Sequence, residues 1–222
     1  MAEWHDTTEE YLEAILSLEE EGVRPMRARI VERLGLSAAA VSETVGRLAE
    51  HGHLRLLDDR TLELTPQGRR LATTIVRRHR LAERLLADVI GLEWEKVHRE
   101  AARWDHVISA DVEEKLVDLL GDPATCPHGN PIPGTHRTVR TEATVALSEA
   151  PAGRLTVTRI SERLELDDES LRFIAAIRLI PGASATVVAS SSGTAVGVNV
   201  RTATGEHQVP SEIAEQLYVT AG

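Results

Sequence analysis

Aromatic residues make up only 3% of the 222 residues, and Cys126 is the single cysteine. A lone thiol excludes an intrachain disulfide framework and fits a reducing compartment. No window approaches the roughly 18 uncharged apolar residues that a membrane-spanning helix needs. The N-terminal Met1-Ala2-Glu3-Trp4-His5-Asp6 is acidic and polar, without the basic and apolar regions of a secretory signal. These absences predict a cytoplasmic protein with no membrane partner. What is present is a hydrophobic fraction of 42%, enough for a real core, which Leu, Val, Ile and Ala must build. The length allows one large domain or two to three small ones.

The net charge of −10 argues against nucleic acid only if it is evenly spread, and it is not. Between Arg24 and Arg84 there are 13 Arg against 7 acidic residues, a balance of +6, which leaves −16 for the remainder. A phosphate-binding module fused to acidic segments has this asymmetry. Arg on the solvated faces of helices gives it equally well, so charge alone leaves the two readings level.

Apolar residues at helical spacing predict a first helix over Thr7–Glu21, capped from Asp6-Thr7 and stopped at Gly22. A short helix follows Pro25, and a third opens at Ser37 and ends at His51-Gly52. Extended runs at Leu54–Leu57 and Thr61–Leu64 flank a polar turn, and Thr65-Pro66 opens a long helix to about Asp88. That order is the winged helix-turn-helix arrangement, in which the helix after Ser37 enters the major groove. Amphipathic helices are expected over Trp94–Ile108 and Ala110–Leu119 as a dimer interface, then a Pro- and Gly-rich stretch and a linker over Thr135–Glu142. Strand-like runs at Leu155–Ile160, Ala185–Ala189 and Val196–Val200, punctuated by Gly182, Ser190–Gly193 and Gly205, suggest a small β-barrel interrupted by a helix over Asp168–Ile177. The fold class expected is therefore mainly α, with domains at 1–65, 66–140 and 141–222.

Ionisable pairs recur on the helices. His79 and Glu83 stand at i, i+4, Glu10 and Glu13 at i, i+3, and Asp105-His106 lies two turns after His98 on the same expected helix. Cys126-Pro127-His128 adds a soft ligand and an imidazole. Together they can coordinate a divalent metal, although any one pair also fits a solvated charged face.

The chain resembles the diphtheria toxin repressor family of iron- and manganese-dependent transcriptional regulators. The resemblance rests on Asp6-Thr7-Thr8-Glu9-Glu10-Tyr11-Leu12, Arg27-Ala28-Arg29-Ile30, the run Arg77 to Leu86, the run His98 to His106, and Gly129-Asn130-Pro131-Ile132-Pro133-Gly134. The last segment is similar to the family's small SH3-type, or FeoA-like, barrel, with Leu179-Ile180-Pro181-Gly182 the best local match. The resemblance implies a homodimer on double-stranded operator DNA and two metal sites per subunit. The primary site falls on Glu10, Ala102, Asp105 and His106, with Glu13 matching a further acid in some members. The ancillary site falls on His79, Glu83 and His98. Streptococcal manganese-responsive relatives add Cys126 and His128 and an acid from the barrel, assigned here by register to Asp167.

Iron-type members carry Met where this chain has Glu10 and Cys where it has Ala102. Ala102 can offer only its carbonyl, so the primary site is oxygen-rich and one side-chain ligand short. Hard oxygen donors suit Mn(II), with Fe(II) as the alternative. On the DNA-reading helix Ser37, Ala38, Ala40 and Ser42 are placed for base edges and thymine methyls, and Glu43 for cytosine N4 or for phosphate repulsion. Arg27, Arg29, Arg47 and Arg60 are placed for phosphate contacts. The expected function is a metal-activated repressor and no enzyme. A metal-dependent hydrolase with a DNA-binding appendage is the alternative from another class, and His-Glu-x-x-His is absent from the chain. A regulator that has lost its primary site is the third possibility.

Overall fold

The computed structural model describes residues 2–137, 143–188 and 197–221. They pack as two units, one of residues 1–79 with 104–109, the other of 80–103 with 110–222. In the first unit α1 (Ala2–Glu20) buries Tyr11, Leu12, Ile15, Leu16 and Leu18. It starts earlier than the sequence predicts, so Asp6 falls within the helix rather than at its cap. The helix ends where Gly22 adopts φ 71° and Val23 N–H bonds back to Leu18 O, satisfying carbonyls that helix termination would strand.

Next come α2 (Arg27–Leu34) and α3 (Ala38–Glu50), the latter capped by the Ser37 hydroxyl, which accepts from Ala40 N–H at 3.2 Å. An antiparallel hairpin follows, β1 (Leu54–Leu56) with β2 (Leu62–Leu64), in register Leu54↔Leu64. Ile30, Val41, Val45 and Leu48 from the helices, Leu54, Leu62 and Leu64 from the hairpin, and Ala72 and Val76 from α4 (Pro66–Arg84) form one core with α1. Gly68 is required where α4 begins, because a Cβ there would lie 1.8 Å from the His53 carbonyl oxygen.

The second unit begins near the end of α4, which widens into a π-turn over Leu85–Ile90 before Gly91 stops it. The helix expected over Trp94–Ile108 is broken. It divides into a 3-10 turn (Trp94–Lys96), α5 (Val97–Ala101) and a second 3-10 turn (Asp105–Val107). The break turns the Asp105 carboxylate inward, where it accepts from His79 Nδ1 at 3.0 Å. His98 and His106 therefore do not share a helix. Then α6 (Ala110–Leu120) leads to an irregular stretch held by the Thr125↔Pro131 bridge.

The last third is β3 (Val145–Ala146), β4 (Gly153–Ile160), α7 (Glu162–Glu165), α8 (Asp168–Ala176), β5 (Ser184–Val187), β6 (Val198–Thr202), β7 (Gly205–Val209), α9 (Ser211–Ala214) and β8 (Leu217–Ala221). The strands form a six-stranded antiparallel sheet in the order β3-β8-β4-β5-β6-β7. Leu147, Val157, Ile160, Ile174, Leu179, Val200 and Leu217 fill its core. The sheet makes a mainly α description too narrow: a helical first part is joined to an antiparallel β part. Ser190–Gly193, Ala189, Val196, most of the expected linker and the 140/141 boundary lie outside the described residues.

Gly68→Ala forces the start of α4 away from the hairpin base. It should cost about 2–3 kcal/mol, the cost of overpacking, and lower Tm by roughly 5–10 °C. Ala at the open position Gly46, where an added Cβ meets nothing within 4 Å, should be tolerated by comparison. Equal melting temperatures for the two variants, by thermal unfolding, would refute the close approach.

Candidate metal centre and nucleic-acid surface

Near its end α4 carries Glu83, which is fully buried. The Cys126-Pro127-His128-Gly129 turn brings two more ligand types to it, closed by Gly129 N–H to Cys126 O and Cys126 N–H to Asn130 O. Gly129 adopts φ 87° and sits flush on β4, where a Cβ would lie 2.0 Å from Thr158 O. Ile160 N–H donates to His128 O at 3.0 Å, and Trp94 Nε1 to Pro127 O at 2.9 Å, with the indole edge on the His128 ring at 4.7 Å. The backbone at His128 and one side of its ring are thus braced before any ligand is considered.

Four donor atoms then meet. His98 Nδ1 lies 3.2 Å from Glu83 Oε1 and 2.9 Å from Glu165 Oε2. His128 Nδ1 lies 3.1 Å from each of the same two oxygens. These are hydrogen-bond distances, and they gather two carboxylates and two imidazoles at one largely buried locus. Glu83, Cys126 and His128 can also bring one donor each within 4.8 Å of one another. His128 Nε2 is buried with no hydrogen-bond partner. Carboxylate, imidazole and thiol donors converging out of water, with a buried polar atom left over, fit a divalent cation.

Burial by itself lowers the pKa of His128, but the carboxylates of Glu165 and Glu83 and bonds to Cys126 and Glu165 hold it well above its ordinary value. Burial, reinforced by the Glu83 charge, pushes the Cys126 thiol up to about 12 despite the opposing bond from His128. Without metal the proton held on His128 sets one positive charge beside the two buried carboxylates, while the Cys126 thiol stays neutral.

The acid supplied from the last third is Glu165, not Asp167. Asp167 instead caps α8, accepting from Glu169 N–H at 3.0 Å and from the Ser170 hydroxyl at 2.6 Å, which holds its carboxyl below the usual range. Asp168 faces Arg99. The Asp-x-x-Ser spacing was the available signal that Asp167 is a helix cap. Glu165, three residues after Glu162, carried no comparable mark.

The other expected ligands are less gathered. Glu10 is exposed and Glu13 half-buried on α1. The Asp105 carboxylate is shared by His79, at 3.0 Å, and His106, at 3.3 Å, and Ala102 is exposed just past α5. Among the described residues, Glu10, Glu13, Asp105 and His106 do not bring three donors together.

On the first unit Ser37, Ala38, Ala40, Ser42, Glu43 and Arg47 are all exposed along α3, opposite the buried Val41, Val45 and Leu48. Arg60 is exposed at the hairpin tip, in a left-handed conformation (φ 69°) that closes the turn onto Leu57 O. Arg29 is exposed and paired with Glu32 at 2.7 Å, and Arg27 is half-buried. A helix face clear of the core and a projecting hairpin are what duplex DNA requires of a winged helix.

Known proteins share both halves of this arrangement. Residues 3–62 match the family described as iron dependent repressor, N-terminal DNA binding domain, and residues 65–134 its metal binding and dimerisation domain. The iron-dependent repressor IdeR of Mycobacterium tuberculosis is 48% identical over 203 residues, covering 87% of this chain and 88% of its own. The diphtheria toxin repressor of Corynebacterium diphtheriae is 57% identical over 129 residues, 58% of this chain and 57% of its own. A solved manganese-dependent transcriptional repressor in complex with manganese superposes with TM-score 0.83 at 32% identity, over 97% of this chain and all of that one. The chain belongs to the iron-dependent repressor family. It is a metal-dependent, DNA-binding transcriptional repressor and not an enzyme. Among the described residues no helix is long and apolar enough to cross a membrane.

A metal ion held by this cluster should reverse the pH dependence of the repressor's stability. His128 has its folded pKa raised, so its contribution is full below about 6.5, the unfolded value, and is lost as pH rises through the folded value. Cys126 acts in the same direction above about 9, where an unfolded thiol ionises first. A metal ion instead requires deprotonated ligands and binds better as pH rises. The metal-free protein should therefore lose Tm from pH 6.5 upward, while the increment added by Mn²⁺ grows over the same range. Parallel pH profiles in chelator and in Mn²⁺, followed by thermal unfolding, would overturn the assignment.

Proposed function

We propose that this repressor is activated by Mn(II), holds two metal ions per subunit and binds operator DNA as a homodimer in the cytoplasm. The observation that carries the reading is the approach of the buried Glu83 and Glu165 carboxylates to the His98 and His128 rings, an arrangement that favours positive charge between them. One site comprises these residues with Cys126, and with His79 one turn before Glu83 on α4. The second comprises Glu10, Glu13, Asp105, His106 and the carbonyl of Ala102. Glu10 and Ala102 stand where iron-type members have sulfur, and oxygen donors favour Mn(II). Fe(II) is the second reading, favoured by the 48% identity to a protein named an iron-dependent repressor.

When bound, the ion supplies the charge that lets carboxylates from separate stretches share one locus. Glu10 and Glu13 commit α1 to that locus, and Asp105 and His106 commit the turn after α5. Fixing both narrows the ensemble to the DNA-competent arrangement, a population shift set by differential metal affinity. Val89, Ile90, Val112 and Leu119 are exposed apolar side chains and support a twofold interface in the second unit. The last third is read as an SH3-type barrel, within domain limits of 1–65, 66–140 and 141–222.

Arg27, Arg29, Arg47 and Arg60 are assigned to phosphate, and Ser37, Ala38, Ala40 and Ser42 to base edges. Glu43 is exposed on the same face, and a carboxylate there is repelled by phosphate but accepts well from cytosine N4. Glu43→Gln should tighten binding overall and cut the preference for cytosine at one position per half-site by about tenfold, an energy of 1–2 kcal/mol. Binding to operators varied base by base measures this, and tighter binding with unchanged preference would assign Glu43 to repulsion alone.

His106→Ala should abolish metal-activated DNA binding, because it removes a ligand from a site already lacking one at Ala102. His79→Ala should only weaken it, since Glu83, His98, Cys126, His128 and Glu165 remain. Glu10→Met with Ala102→Cys should shift activation towards Fe(II). Gel shifts titrated anaerobically with each metal decide these points. A wild-type Mn²⁺ response of His106→Ala removes that residue from the site, and an unchanged preference in the double variant removes ligand type as the selector.

A further inference from the structure

Glu165 comes from a four-residue helix more than eighty positions after Glu83 in the chain, yet its carboxylate is placed as tightly as that of Glu83. Three side chains account for this. Arg80, one turn before Glu83 on α4, is the largest fully buried side chain among the described residues, and its guanidinium donates to Pro131 O at 2.5 Å and to Glu162 Oε1 at 2.6 Å. Glu162 opens α7 and Glu165 closes it, so the ion pair fixes the helix on which the ligand stands. Asn130, buried in the turn after His128, donates its Nδ2 to Glu165 Oε1 at 2.6 Å. Its other atom, Oδ1, accepts from Arg159 at 3.4 Å, which sets the amide the right way round. Glu165 Oε1 is thereby occupied, and Oε2 is the oxygen left to the two histidines. None of these contacts involves a metal ligand other than Glu165 itself.

We propose that Arg80, Glu162 and Asn130 form a metal-independent latch that positions Glu165, so that α7 is a standing part of this metal site rather than a segment recruited by the ion. The role is one of positioning, and it rests on the reading of the cluster as a metal site. The two ideas separate because the latch acts before metal is added. The Arg80–Glu162 pair is buried, so neutralising one partner leaves an uncompensated charge and releases the helix. A carboxylate held in place loses less freedom on coordinating an ion, which is how supporting residues of this kind raise affinity, typically by 10–100-fold.

Hydrogen exchange on the full-length, chelator-treated protein reads the latch directly. In the wild type the α7 amides should be protected without metal. Glu162→Gln should lower that protection by about tenfold or more, and saturating Mn²⁺ should restore it. Mn²⁺ affinity should fall 10–100-fold in Glu162→Gln and in Asn130→Ser, and the loss should vanish in a Glu165→Gln background, where a merely structural defect would persist. Asn130→Ser keeps the ion pair intact and serves if Glu162→Gln does not fold. Protection of α7 that appears only with metal overturns the latch, as does additivity of either variant with Glu165→Gln. Protection without metal combined with an absence of Mn²⁺ binding keeps the latch and refutes the metal site.

Discussion

Glu83 and Glu165 place two buried carboxylates against the same pair of imidazole nitrogens. Two such charges a few ångströms apart repel by several kcal/mol even at an effective dielectric constant of about 20. The arrangement therefore favours positive charge between them, which the proton held on His128 supplies in part. The end of α4 delivers Glu83, α5 delivers His98, the tight Cys126–Gly129 turn delivers a soft donor and the second imidazole, and α7 delivers Glu165.

The sheet acquires a role from this requirement. β4 is the wall on which the ligand turn lies, through the Ile160 N–H to His128 O bond and the glycine-only contact at Gly129. A sheet domain that only decorated a DNA-binding protein would not need a residue without a side chain at its boundary with the ligand turn. Buried ion pairs are weak evidence for stability, since desolvation offsets most of their attraction. Arg80–Glu162 is better understood as fixing one arrangement among several.

The first unit follows a different logic. Its core of Leu, Ile and Val turns one side of α3 inward and leaves Ser37, Ala38, Ala40, Ser42 and Glu43 clear. Small side chains would let such a helix approach base edges closely, which is the role proposed for this face. The positive balance between Arg24 and Arg84 includes the exposed Arg29, Arg47 and Arg60 of this unit, but also Arg80, which is buried in an ion pair with Glu162 beside the cluster.

Local chemistry in the chain determined much of this. Period, capping residues and glycines placed α2, α3, the hairpin and the start of α4, because each signal acts within a few residues of its cause. Glu83, His98, Cys126 and His128 stood out by residue type and spacing. Tertiary structure decided the rest. The turn after Ala101 breaks a helix that the pattern continues, and there the Asp105 carboxylate lies buried against His79. β7 was illegible because its Gly-Glu-His-Gln-Val sequence has no apolar alternation, only Val209 being both apolar and buried. Glu165 was passed over for Asp167 because both are acids at nearly the same register. Only the fold tells which carboxylate is spent on capping α8 and which, held by Asn130, is free to face the histidines.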